Sequence, residues 1–461
     1  MSGGLRNRNF GLFTSGGGSG GGGTVTSVDA VSCTPLTLCV TGGPISAAGT
    51  FCFCALGPSG PNAVEVLGAG TCSTYRCCVD NLANGDYSAA LGGNCNIVNC
   101  DNSFIGAGTL NCVYSPESSI VGGNQNIICA ASCGTFIGGG TCNTACGLYT
   151  TISGGYGNCT NINSGFGYSI VGGGRFNTAS GGYSGVLGGC FNTASDYFSV
   201  VVGGHCNNSA GFHSFIGVGD FSNACCYQSI IVGGCCNNAL TCFAFIGGGY
   251  CNCITELNTP ARPFGAIVGG ACNTISTYGE HSFIGGGCKN TIIQPFSIIS
   301  GGECNLVAGV SSNISGGRKN SNSGYIATIS GGLCNIISSG GAYATISGGY
   351  CNIATTVFGT ISGGQCNTSS SYFGTISGGF GNTVSGNYGT ISGGQSNTAS
   401  GNWSTISGGQ GNVVNGEHSV VSGLNNTISG AYYSGIGSGS GNVIGANTGS
   451  FIGGGNLNTV S

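Results

Sequence analysis

Ile376-Ser377-Gly378-Gly379-Phe380-Gly381-Asn382 is followed, fifteen residues on, by Ile391-Ser392-Gly393-Gly394-Gln395-Ser396-Asn397. The phrase is Ile or Val, a small residue, Gly-Gly, two variable residues and Asn. From about Ala90 to Ser461 it returns roughly two dozen times. The closing asparagines include Asn96, Asn111, Asn126, Asn143 and Asn158 early on, and Asn335, Asn352, Asn367, Asn382, Asn397 and Asn412 later. A degenerate copy sits near Asn223. Longer steps, such as Asn252 to Asn273, carry extra residues that belong in loops, because the phrase itself stays intact. A unit this short cannot enclose a core alone, so copies must stack.

Each copy reads as two short strands and two turns. Tyr388 to Ser392 is one strand, and Asn397 to Ser400 is the other. Gly393-Gly394 makes the first turn, since glycine enters positive φ without a Cβ penalty. Gly401-Asn402 makes the second. The fold class is therefore all-β: a parallel β-solenoid of about 24 short coils, roughly 110 Å long at about 4.8 Å per coil.

Stacking turns repeats into columns. Ile329, Ile346, Ile361, Ile376, Ile391 and Ile406 form an apolar column, read as core or subunit interface. Asn335 to Asn412 forms an amide column with two readings. The amides bond along the axis, as in cross-β ladders, or each satisfies its own turn backbone. Tyr343, Phe358, Phe373, Tyr388 and Trp403 align two residues before a threonine column, with His418 next, and read as an aromatic stack. A coil this thin encloses few side chains, so copies of the chain are expected to associate, most simply as a parallel trimer with the Ile/Val column toward the axis.

Composition excludes several classes. The chain has 461 residues, of which 98 are Gly and 30 are Cys, and only 4% are charged. A globular domain carries about 25% charged residues. Disorder through charge is excluded, since 40% of residues are hydrophobic. With a net charge of −4 and scattered Lys and Arg, no nucleic-acid partner is expected. No stretch reaches membrane-span length, so no membrane insertion is expected. The N-terminal residues lack an apolar core of the signal-peptide kind, so no signal peptide is read.

Residues 1–24 read as a flexible Gly-rich arm. Residues 25–62, with alternating Val, Thr, Leu and Ile between Gly-Gly-Pro turns, read as a small β module. Residues 63–89 are a transition, and 90–461 the repeat array.

The stretch Gly394-Gln395-Ser396-Asn397-Thr398-Ala399-Ser400-Gly401-Asn402-Trp403-Ser404 resembles the head repeats of trimeric autotransporter adhesins, and so does Gly174 to Ser184. The resemblance covers about 370 residues and implies a left-handed, trimeric β-roll with adhesive duty. Two features depart from that family: no leader or membrane anchor is visible, and cysteines abound. The segment Gly23-Thr24-Val25-Thr26-Ser27-Val28, with Pro35-Leu36-Thr37 and Thr41-Gly42-Gly43-Pro44-Ile45, is similar to a module of phage and large-virus tail fibres.

Ten cysteines directly precede a repeat asparagine: Cys95, Cys142, Cys206, Cys236, Cys251, Cys272, Cys304, Cys334, Cys351 and Cys366. Adjacent coils bring pairs such as Cys236 and Cys251 to a Cα spacing compatible with disulfides, so these are disulfide candidates. The odd run Cys334, Cys351, Cys366 requires cross-column or interchain bonds as well. No zinc-type pairing of CxxC motifs is found, and no metal or cofactor is expected. The four histidines and twelve carboxylates form no acid–base or nucleophilic pattern, so no enzyme is read.

The functional expectation is a structural fibre or appendage protein of a virion or cell surface, adhesive toward a host. Its partners would be further copies of itself and a host surface receptor or glycan. The alternative is a disulfide-linked, self-assembling extracellular filament subunit. A third, minor reading is an ice-binding solenoid, from the threonine column Thr328, Thr345, Thr360, Thr375, Thr390 and Thr405.

Overall fold

The computed structural model describes residues 80–161, 167–255, 264–276 and 278–461, with four N-terminal strands, Leu36–Cys39, Cys52–Ala55, Ala63–Leu67 and Thr74–Arg76. The described residues are all β, without a helix, and wind as a parallel β-solenoid of about 24 turns. They divide into two compact units, residues 1–160 and 161–461. Each is considered by itself.

Residues 390–404 show how a coil of the second unit is built. Thr390–Ile391 pairs in parallel with Thr375–Ile376 on one side and Thr405–Ile406 on the other. Thr398–Ala399 pairs likewise with Thr383–Val384 and Val413–Val414. The first set makes the isoleucine sheet and the second the alanine sheet. Each strand is two residues long, so its period-two alternation aims one side chain in and one out. Ile391, Asn397, Ala399 and Ser404 point inward and are 0% exposed. About 19 such turns follow from Ile170 to Val460, a stack of roughly 86 Å.

Backbone hydrogen bonds run between coils. The Thr390, Ser392, Gln395 and Thr398 N–H groups donate to Ser404, Ile406, Gly409 and Asn412 carbonyls in the next coil at 2.8–2.9 Å. Ser396 and Trp403 donate the opposite way, to Phe380 and Asn387 of the preceding coil at 2.8 Å. Both have positive φ, 55° and 53°, which reverses their N–H.

That observation corrects the sequence reading of the second turn. The left-handed residue there is not Gly401 but the aromatic Trp403. Gly401 is glycine for space: a Cβ on it would lie 2.1 Å from the Gly416 carbonyl oxygen. At the first turn the reading holds, with Gly394 at φ 98°.

Ile329, Ile346, Ile361, Ile376, Ile391 and Ile406 are all 0% exposed within a single chain. The expected trimer that turns this column toward a shared axis is therefore corrected. Each coil already closes around its own isoleucine, against an inward residue of the other sheet that ranges from Ala354 and Ala399 to Val384 and Ile337.

In the first unit the same coil begins earlier than residue 90. Leu82–Ala83 pairs in parallel with Ile97–Val98, and Asn81 accepts from the Asn96 N–H at 2.9 Å. Before it, Leu36–Cys39, Cys52–Ala55, Ala63–Leu67 and Thr74–Arg76 form an antiparallel meander. Thr74 and Tyr75 then pair in parallel with Ala89 and Ala90. Strands thus occur in both the 25–62 module and the 63–89 transition. The arm 1–24 lies outside the described residues. So does the insertion 256–263, yet Cys253–Ile254 and Thr274–Ile275 pair in register across it.

Candidate interaction surfaces

A buried amide ladder fixes the coil from within. Asn382 is representative. Its Nδ2 donates to Gly378 in its own coil at 3.0 Å, to Gly394 in the next at 3.0 Å and to Asn367 Oδ1 in the previous at 3.1 Å. Its Oδ1 accepts from the Asn397 backbone N–H at 3.1 Å. The axial bond and the local turn bond, separate readings of the sequence, are made by the same amide. Asn367, Asn397 and Asn412 repeat the pattern, Asn335 and Asn352 repeat it with only the backbone N–H bonding the previous amide, and all five are 0% exposed. A buried amide is tolerated because its donors and acceptor are all used. The degenerate copy puts Ser222, not Asn, at this position. Its N–H still bonds Asn207 Oδ1, at 3.1 Å, but the downstream amide is missing. The neighbouring strands Val200–His205, Phe215–Asp220 and Ile230–Cys235 run six residues there.

The ten candidate cysteines occupy the first left-handed corner, with φ of 53–59°. Cys366 is exposed, and Cys95, Cys142, Cys206, Cys236, Cys251, Cys272, Cys304, Cys334 and Cys351 are half-buried. All ten are thiols in this structure. Among the described residues two disulfides are formed, Cys129–Cys146 and Cys226–Cys242, with Cα separations of 4.9 and 4.8 Å. The densest thiol group is Cys235, Cys236 and Cys251. Cys235 Sγ lies 3.1 Å from Cys236 Sγ. The Cys235 thiol, by its hydrogen bond, holds the Cys236 pKa above its ordinary value. Burial does the same for Cys159 and Cys253.

The second left-handed corner carries rings. Tyr343, Phe358, Phe373, Tyr388, Trp403, His418 and Tyr433 stack with centroids 4.7–5.3 Å apart and planes within 2–13°. Their faces cover one another, so the column shows solvent ring edges only. Each pair adds about 0.5–1.5 kcal/mol beyond its area burial. The other histidines also lie against rings: His213 at 4.7 Å from Phe198, His281 at 5.2 Å from Phe296, and His205 at 5.0 Å from Phe221.

The threonine column read from the sequence lies on the outer face of the isoleucine sheet, but the apolar part of that face was not singled out. Its two outward columns flank the buried residue. In later coils they are Thr and Ser, as in Thr375 and Ser377, or Thr390 and Ser392. Between Ile170 and Ile298 they are apolar. Phe215-Ile-Gly217, Phe245-Ile-Gly247 and Phe283-Ile-Gly285 alternate there with Ile230-Ile-Val232 and Ala266-Ile-Val268. The signal was the Phe-x-Gly spacing. A Cβ on Gly217, Gly247 or Gly285 would sit 3.4–3.6 Å from the edge of the preceding phenylalanine ring. The glycine itself is required by the next coil, whose carbonyl oxygen a Cβ would meet at 2.1–2.4 Å, and each ring stays partly exposed beside it.

Charge is sparse on these surfaces. Arg318 and Glu303, exposed, pair at 3.2 Å across adjacent coils. Among the described residues no three His, Cys, Asp or Glu side chains are grouped to hold a metal ion. The chain matches no protein-family model and no curated protein sequence.

Proposed function

We propose that this chain is a structural fibre protein, part of a virion or cell-surface appendage, that presents its outer columns to a host surface. The observation that carries the reading is the amide ladder of the second unit, which runs from Asn177 to Asn458 with one interruption, at Ser222. With most backbone bonds running along the stack, it makes about 19 turns behave as one stiff element. The interior repeats almost without change, while the outward columns differ from region to region. That division suits a shaft whose side displays binding residues, with no chemistry of its own. Further copies of the chain are partners, as a trimer, and they meet through outward columns because the isoleucines are internal. A host receptor or glycan is the second partner, and no nucleic acid or membrane insertion is involved.

The test is negative-stain microscopy with sedimentation of the purified chain. Discrete, slender particles of three-chain mass support the reading. Compact monomers without lateral contact overturn it. A second reading, a disulfide-linked filament subunit, is favoured by the ten corner thiols of one column, nine of them half-buried and Cys366 exposed. Open-ended polymers that form under oxidising conditions and dissolve with reductant would select it.

A further inference from the structure

We propose that the apolar outer face of the isoleucine sheet between Ile170 and Ile298 binds an extended, unbranched, neutral polysaccharide, a β-1,4-linked glucan or N-acetylglucosamine polymer, along the axis of the coils. The inference rests on the surface-contact reading and names its ligand class.

Four observations carry it. First, Phe215, Phe245 and Phe283 occupy one column in every second coil, so flat rings recur about every 9.6 Å. One disaccharide of a fully extended β-1,4 chain has a closely similar length, and each such unit turns the same sugar face the same way. Second, one edge carbon of each ring lies beside the following glycine, Gly217, Gly247 or Gly285, and Phe245 and Phe283 are 36% and 38% exposed, so the row presents ring surface to solvent. An aromatic face is electron-rich and attracts the slightly positive axial C–H groups of a sugar ring. The stacked corner column cannot do this, because its faces are taken.

Third, no Asp, Glu, Lys or Arg stands in either outward column from Ile170 to Ser300. The matching partner is uncharged, which sets aside nucleic acids and anionic glycans. Fourth, an open depression adjoins the middle ring. It is lined by His213, Gln228, Ile230, Phe243, Phe245 and Phe264. Gln228 stands where the corner column has rings on either side, at His213 and Phe243. Its amide supplies donors and an acceptor for sugar hydroxyls beside the ring row.

Area argues against a second copy of this chain as occupant. The strip is roughly 38 Å by about 10 Å, so about 400 Å². A stable protein interface takes about 800 Å² from each partner. A polysaccharide has no such minimum, because successive disaccharides on successive rings add by linked, multivalent contact.

The test is depletion of the full chain from solution by microcrystalline cellulose and by chitin. Soluble hyaluronate serves as an anionic control. Binding to cellulose or chitin that persists in high salt is expected, with no binding to hyaluronate. The triple variant Phe215→Ala, Phe245→Ala, Phe283→Ala should bind about tenfold more weakly or worse. The matching triple Phe→Tyr variant keeps flat rings and should bind like the parent, which separates ring loss from misfolding. Parent protein left wholly in the supernatant overturns the proposal. Undiminished binding by the alanine variant does so too, and so does a variant that changes only the oligomeric mass. None of these outcomes removes the fibre reading, which stands or falls on particle shape and mass.

Discussion

Two stretches of the second unit share an interior and differ outside. Coils from Ile170 to Ile299 and coils from Thr328 to Val421 both bury an Ile or Val on one sheet and both run the amide ladder. Outside, the first stretch carries flat phenylalanines and valines, with cysteines at the corner. The second carries Thr-Ile-Ser, and no cysteine follows Cys366. The lesson is that a fifteen-residue coil leaves almost no freedom at its inward positions. Ile or Val, Asn, and a residue ranging from Ala to Ile on the second sheet fill the section, and the two left-handed corners close it. Outward positions answer only to their axial neighbours and to whatever meets the surface.

The comparison breaks first at the ladder. Asn382→Asp should be the most damaging single change, because a carboxylate would face the Gly378 and Gly394 carbonyls that now accept from the amide. The expected loss exceeds about 3 kcal/mol, with Asn382→Ala nearer 2. Asn252→Asp in the apolar stretch should cost the same, since its Nδ2 bonds Gly248 and Gly270 alike. Hydrogen exchange around each coil is the measurement. A large difference between the two sites would mean the interiors are not equivalent.

Next comes the ring corner. Trp403→Ala loses two stacking contacts yet keeps a left-handed backbone that only glycine adopts freely, a loss of about 2 kcal/mol. Trp403→Gly should be milder by about 1 kcal/mol, the reverse of the usual order for a strand protein. Thermal melting of the two variants decides it. A smaller effect is expected from transplanting the outer face. Thr390→Phe with Ser392→Gly copies the phenylalanine tile onto the hydroxyl stretch and should move stability by no more than about 0.5 kcal/mol.

The smallest expectation concerns acidity. The burial that raises the Cys253 pKa favours its neutral thiol in the folded chain. Its contribution to stability is full below the ordinary thiol value of 9.0 and is lost as pH rises through the raised folded value. At pH near 8.5, alkylation of Cys253 should be several-fold slower than that of the exposed Cys366. Peptide mass spectrometry of a labelling time course reads the ratio, and equal rates would show Cys253 to be open.

Much of this was legible from residues alone. The Ile and Asn columns, the stacking and the first glycine turn follow from a recurring phrase whose two inward positions are almost always Ile or Val and Asn. Three things were not. Gly401 looked like a turn glycine because composition cannot separate a glycine kept for φ from one kept for closeness. The left-handed state of Trp403 was hidden because aromatics there are paid in stacking, a term that appears only when coils are laid together. The phenylalanine tiles were overlooked because their period is two coils, longer than the repeat used to align the copies.

One property of the ladder reaches further. Asn426 bonds Asn412 across a step one residue short, at 3.0 Å, and Asn273 bonds Asn252 across a step of 21, at 3.1 Å. Each rung engages only the coils directly before and after it and ignores how much polypeptide lies between. A gene of this kind can gain or drop whole periods by recombination, and the protein heals at the seam. Length then becomes an inherited quantity, counted in turns, that selection can adjust without redesigning anything else.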